Sequence, residues 1–170
     1  MGVGCTEWFK SYLNNRQQIV MVDGVNSELG VVNCGVPQGS ILGPLLFLCY
    51  VNDMPISLRC KLLLYADDSA LLVPGLDSET IAEILSQELK SCQMWLIDNK
   101  LSLHLGKTES ILFGTKRKLA LVNEFEVKCN NVAIKSVNSV QYLGIKLDNN
   151  LSGESIVLKI IEKSSNRIKF

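Results

Sequence analysis

The stretch LLLYADDSALLV, Leu62 to Val73, sets two adjacent carboxylates, Asp67 and Asp68, inside an otherwise apolar run. Burying an unpaired ionised carboxylate is costly, so a counter-ion is expected beside them. No Lys or Arg follows Lys61 within the stretch. Hard oxygen ligands of this kind suit Mg²⁺ or Mn²⁺, which keep several waters and bind through few protein carboxylates together with substrate phosphates. Ions so held promote in-line phosphoryl or nucleotidyl transfer, by activating a hydroxyl and neutralising charge on the leaving pyrophosphate. Aspartate is also common in turns, and for the dipeptide alone a polar hairpin turn is the simpler explanation.

The elements around the pair must hold it. Lys61 to Tyr65 and Ser69 to Val73 read as short apolar strands flanking Ala66-Asp67-Asp68, a hairpin with carboxylates at its tip. Pro74-Gly75 closes it, and Asp77 or Ser78 caps a long helix with apolar positions Ile81, Ile84, Leu85, Leu89, Cys92, Trp95 and Leu96. Upstream, WFKSYL has helical spacing, and QIVMVDGVNSELGVVN reads as strand, turn, strand about Asp23-Gly24. Gly35, Pro37 and Gly39 mark a loop. Ser40 is the expected N-cap of a buried helix that ends before Pro55, with Pro44 in its first turn.

Downstream, a strand is expected over Glu109 to Phe113, and the basic Lys116-Arg117-Lys118 leads to a hairpin turning at Asn130-Asn131. The strand VQYLGIKLD follows, and a helix starts past Leu151. Strands outnumber helices and are joined by hairpins, so the expected fold is α+β: an antiparallel sheet with helices packed on one face.

A chain of 170 residues, 47% of them hydrophobic, is long enough for one domain with a core and too apolar for disorder. The longest apolar run, Ile41 to Val51, is broken by Gly43 and Pro44 and falls short of a membrane span. The N-terminus lacks the order of a secretory signal, so a soluble intracellular protein is expected, nuclear or cytoplasmic, with no membrane partner. Six scattered cysteines without a CxxC pair argue against a zinc site or a disulfide scaffold and read as reduced, mainly buried residues. The single histidine, His104, has no evident ligand partner and reads as structural.

Net charge is zero but unevenly spread. Up to Asn99, five basic residues face eleven acidic ones, a net of −6; from Lys100 onward, twelve face six, a net of +6. An acidic half joined to a basic half fits a divalent-cation site beside a surface that meets phosphates, although solvation of differently charged helix faces is the plainer account of charge alone.

YADD in an apolar hairpin, shortly after GVPQGSILGPLLFLCYVNDMP, resembles the reverse transcriptase palm of non-LTR, LINE-type and jockey-like retrotransposons. WFKSYLNNRQQIV, LSLHLGKTESILFG and VQYLGIKLDNNLSG are similar to further family stretches, in the family's order and over nearly the whole chain. The resemblance implies an RNA-directed DNA polymerase using Mg²⁺ or Mn²⁺, an RNA template, a DNA primer and deoxynucleoside triphosphates. It implies a partial palm over residues 1–150 and the beginning of a thumb helix over 151–170.

By the same resemblance Asp67 is the principal metal ligand and Asp68 its less directly ligating neighbour. Tyr65 is similar to the aromatic beside the primer terminus. Gln38 and Gly39 match the loop against the incoming nucleotide and template. Lys107 matches a lysine near the triphosphate, a candidate proton donor to pyrophosphate, and reads equally as a solvated loop lysine. Tyr142, Leu143 and Gly144 look like the primer-grip strand, where ordinary strand packing is the alternative. The family's third metal-binding carboxylate lies on a strand ahead of WFKSYL. Neither Asp23, a turn residue, nor Asp53, at a helix end, replaces it. The 170 residues alone are therefore expected to be catalytically incomplete. The competing expectations are a decayed or domesticated remnant that binds nucleic acid without catalysis, and a truncated product that does not fold stably.

Overall fold

The computed structural model of the chain describes residues 3–168. It divides into two compact units, Met1–Asp53 and Met54–Phe170.

In the first unit, α1 (Val3–Leu13) carries Trp8 and Tyr12 one turn apart, their rings stacked at 5.3 Å. The helix stops where Asn15 turns to φ 55°. A β-ribbon follows, built from β1 (Arg16–Gln18), β2 (Met21–Val22), β3 (Val25–Asn26) and β4 (Gly30–Val32). β1 pairs with β4 and β2 with β3, both antiparallel. Asp23 and Gly24, at φ 50° and 80°, make the expected tight turn. Val20 and Ser27 bridge the two pairings: Val20 N–H donates to Ser27 Oγ at 3.0 Å, and Ser27 N–H donates to the Val20 carbonyl at 2.8 Å. The loop after β4 runs into α2 (Gly43–Val51).

The second unit opens with a 3-10 turn, Met54–Ser57, then the hairpin β5 (Lys61–Tyr65) and β6 (Asp68–Leu72), then α3 (Ser78–Asp98). Asp77 is the cap of α3: it is extended, and its carboxylate accepts the Thr80 N–H at 2.8 Å. A second 3-10 turn, Leu105–Lys107, leads to β7 (Glu109–Ser110) and the short α4 (Lys116–Leu119). The remaining elements are β8 (Val127–Cys129), β9 (Val132–Ser136), β10 (Ser139–Tyr142), β11 (Ile145–Asp148) and α5 (Glu154–Ile168).

The amphipathic α3 organises this unit. Ala82 and Leu89 pack with Val127, Cys129 and Ile134 of β8 and β9, while Cys92 packs with Met54 and Leu58. Leu71 of β6 touches both clusters, so one helix face seats the β5–β6 hairpin and the β8–β9 hairpin together. Polar ties add register: Ser86 Oγ accepts the Lys128 N–H at 2.9 Å, and Gln93 accepts from Asn130 at 2.6 Å.

The result is a mixed α/β architecture with several small antiparallel sheets among helices. Among the described residues the strands form four two-stranded ribbons and one three-stranded sheet in the order β7-β9-β8, not one sheet. β7 and β9 pair in parallel, Glu109 beside Lys135, a non-local pairing that hairpin signals cannot reveal. Four further expectations are corrected. The strand expected over Glu109 to Phe113 stops at Ser110, whose hydroxyl turns to the Lys135 carbonyl. VQYLGIKLD is two strands, folded at Leu143-Gly144. α2 starts at Gly43 with Leu42 at the cap position and is largely exposed, as Leu45, Leu48 and Tyr50 show. Of the six cysteines, all free, only Cys92 and Cys129 are buried; Cys5, Cys34 and Cys49 are exposed. No helix among the described residues is long and apolar enough to cross a membrane.

Candidate active site

The β5–β6 register runs from Lys61 opposite Leu72 to Tyr65 opposite Asp68, leaving Ala66 and Asp67 as a two-residue tip. Cross-strand partners share a face of a pleated ribbon. Leu62, Leu71 and Leu64 lie on one face and pack toward Met54, Leu58 and Cys92. Tyr65 and Asp68 therefore stand on the opposite face, and Asp67 belongs to the tip that joins them. Ala66 holds φ 50°, a left-handed conformation that costs an L side chain about 1 kcal/mol or more.

The two carboxylates are exposed, and Tyr65 is 64% exposed. This corrects the expectation of carboxylates buried in apolar strands: Leu62, Leu64 and Leu71 make up the face that packs, and the acids lie at and beside the tip. No burial penalty demands a counter-ion here.

A residue that sequence reasoning missed holds the hairpin down. Glu88 of α3 is buried, at 6% exposure, and accepts the N–H groups of Arg59 and Cys60 at 2.7 and 3.2 Å, just ahead of β5. Its signal was legible as a carboxylate on the apolar stripe, between Leu85 and Cys92. Burial pushes the Cys60 thiol pKa up, and the Glu88 charge beside it adds to the rise.

The other expected site residues occupy separate elements. Lys107 ends the 3-10 turn, exposed, with its N–H donating to the His104 carbonyl at 3.0 Å. No ion pair joins it to either aspartate among the described residues. Tyr142 closes β10, and Leu143 and Gly144 form a tip at φ 48° and 81°, a turn where a primer-grip strand was expected. Gln38 and Gly39 belong to the first unit, both exposed, with Gly39 at φ 79°.

Their loop has its own lock. Ser40 Oγ donates to the Pro37 carbonyl at 2.7 Å and accepts the Gly43 N–H at 2.9 Å. A Cβ on Gly43 would lie 2.9 Å from that oxygen and 3.0 Å from the Pro37 carbonyl, so only glycine fits. Ser40 thus serves the helix start two residues before the cap position, because its hydroxyl is shared with the loop. Arg16, also missed from sequence, donates to the carbonyls of Leu13, Cys34 and Gly35 and ties the end of α1 to this loop.

Asp67 and Asp68 are accessible hard-oxygen donors of the kind that hold Mg²⁺ with water and phosphate oxygens completing the shell. No group of three or more acidic, histidine or cysteine side chains gathers as a metal site among the described residues. The tip offers two such donors, and water and phosphate oxygens would have to complete the shell of any ion held there.

A sequence profile of the family reverse transcriptase (RNA-dependent DNA polymerase) matches residues 2–147. The chain belongs to the reverse transcriptase family. It is 28% identical over 151 residues to the RNA-directed DNA polymerase from mobile element jockey of Drosophila funebris, covering 84% of this chain and 16% of that protein. It is 32% identical over 151 residues to a probable RNA-directed DNA polymerase from transposon BS of Drosophila melanogaster, with the same coverage. A probable RNA-directed DNA polymerase from transposon X-element of the same fly is 30% identical over 148 residues. The chain spans about one sixth of the length of these curated relatives. No solved structure matches it. The matched span takes in the locked loop, the carboxylate hairpin and the Leu143-Gly144 tip.

Proposed function

We propose that residues 1–150 are part of the palm of a non-LTR, jockey-like reverse transcriptase, and that 151–170 begin its thumb. The parent reaction is template-directed nucleotidyl transfer onto a primer 3′-hydroxyl, with an RNA template, a DNA primer and deoxynucleoside triphosphates. The observation that carries this reading is the exposed pair Asp67-Asp68 at a strained, firmly seated hairpin tip in a chain of this family.

Asp67 is the principal ligand of a Mg²⁺ or Mn²⁺ ion and Asp68 a supporting one; when bound, the ion supplies charge neutralisation at the transferring phosphate. Tyr65 packs beside the primer end, and Gln38 and Gly39 bring backbone close to nucleotide and template. Lys107 offers a proton or a charge to pyrophosphate, and the Tyr142–Gly144 tip contacts the primer.

The test is a chimera in which residues 2–147 replace the matching segment of the Drosophila melanogaster jockey polymerase. Mg²⁺-dependent primer extension that Asp67→Ala reduces to background is the expected result. Equal incorporation by the Asp67→Ala chimera overturns the reading. The expectation that residues 1–170 alone give no extension is checked in the same assay. The net charge of +6 from Lys100 onward supports a second reading, a retroelement remnant that binds nucleic acid without catalysis. A chimera that binds template-primer but never extends it supports the second reading.

A further inference from the structure

Away from the hairpin, the turn bearing Lys116, Arg117 and Lys118 concentrates charge in an unusual way. All three side chains are exposed, and none makes an ion pair among the described residues. By contrast, Lys128 and Lys135 on β8 and β9 are held by Glu126 at 2.6 Å and Glu109 at 2.8 Å. The turn is fixed in place. Thr115 Oγ1 accepts the Lys118 N–H at 3.3 Å, and the Gly114 N–H donates to the Asn149 carbonyl at 2.9 Å. Beside it lies an open concavity of about 380 Å³, lined by Phe113, Gly114, Thr115, Asn150 and Leu151. Phe113 is 39% exposed there and Leu151 62%.

Single-stranded polynucleotides are held by aromatic rings that stack on bases next to cations that neutralise the backbone. We propose that Phe113 to Lys118 form such a contact: Phe113 stacks on a base lodged in the concavity, and Lys116, Arg117 and Lys118 meet consecutive phosphates. The choice of a polynucleotide over another polyanion rests on the polymerase reading above. The contact itself needs neither the aspartate tip nor a divalent ion.

The experiment is fluorescence anisotropy of a labelled single-stranded RNA oligonucleotide with the 170-residue chain in EDTA, titrated with KCl. Combined Lys116→Gln, Arg117→Gln and Lys118→Gln is expected to weaken low-salt binding about tenfold and to remove about two units from the slope of log affinity against log salt. Phe113→Ala and the milder Phe113→Leu are each expected to weaken binding about fivefold while leaving the salt slope unchanged. Melting curves confirm that each variant folds. Unchanged affinity in the triple variant, or in both folded Phe113 variants, overturns the site. So does heparin binding as tightly as RNA, since heparin offers charge without bases. If instead Asp67→Ala leaves the chimera's incorporation intact, the polymerase reading fails while this titration is unaffected.

Discussion

The hairpin tips of this chain differ in what holds them. At Asp23-Gly24 and Asn130-Asn131 both residues take positive φ, and their types suit it: glycine lacks a Cβ, and Asp and Asn tolerate the left-handed region. At Ala66-Asp67 only the alanine has positive φ, and at Leu143-Gly144 a leucine sits at φ 48°. Neither side chain helps that conformation. The first two tips are written locally, whereas the other two are imposed by the strands that they join and, at Ala66-Asp67, by the packed face of the hairpin. A strained backbone survives only where its surroundings over-determine it, and such sites gather where a functional group must be held. The tip that carries Asp67 belongs to this second kind.

Removing support along α3 should separate what holds the two hairpins, because Leu89 packs under both and Glu88 ties down only the start of β5. The largest effect is expected for Leu89→Ala, which empties the cluster that α3 shares with β8, β9 and Leu71. A loss of about 3 kcal/mol in urea denaturation is expected for the second unit. Next is Glu88→Ala, which strands the Arg59 and Cys60 N–H groups and should cost about 2 kcal/mol. Glu88→Gln should cost less, since its amide oxygen still accepts. Hydrogen exchange locates the damage: β5 and β6 amides lose protection in Glu88→Ala while β8 and β9 keep theirs. Equal loss in both hairpins would remove the distinction between them.

The local features were legible in the sequence because their signals are local. Asp77 or Ser78 reads as a cap, and Asp77 is the one used; Asp23-Gly24 and Asn130-Asn131 read as turns, and YADD reads as a hairpin tip. What escaped is what contacts impose from afar. The parallel pairing of Glu109 with Lys135 joins segments separated by α4 and β8. Leu143 at φ 48° carries no turn signal, so two strands read as one. Ser40 looked like a cap, but its hydroxyl is shared with the Pro37 carbonyl and the helix begins later. The apolar run around Asp67 and Asp68 suggested burial, because sequence does not say which face of a short ribbon packs. Of the expected site residues, Tyr65, Asp67 and Asp68 share one hairpin, while Lys107 and Tyr142 to Gly144 belong to other elements.

The tips themselves sharpen the contrast at smaller scale. Ala66→Gly relieves the left-handed cost and is expected to stabilise the second unit by about 0.5–1 kcal/mol. Asn131→Ala places a strained residue at φ 67° and should destabilise by about 1 kcal/mol. Opposite signs by chemical denaturation bear out an imposed tip and a local one. The same sign for both would mean that neither backbone strain nor residue type decides these turns.

The smallest expected effect concerns a purely local device, the Asp77 cap that sets where α3 begins and hence where Glu88 lands. The Thr80 N–H bonded to its carboxylate holds the Asp77 pKa below the ordinary 3.8. A carboxyl with a lowered folded-state pKa binds its proton less readily folded than unfolded, so its stabilisation is full above the ordinary value. That contribution is lost as pH falls through the lowered one. Asp148, lowered by the Ser152 hydroxyl, acts in the same direction. Asp77→Asn keeps an acceptor for the Thr80 N–H but cannot titrate. Its stability should therefore fall less steeply than the parent's on the acid limb below the ordinary carboxyl value, with near-equal stability at neutral pH. Asp77→Ala should instead be weaker at neutral pH and converge on the parent in acid. Parallel acid limbs for parent and Asp77→Asn would show that the cap's charge contributes nothing, leaving α3 positioned by its packed face alone.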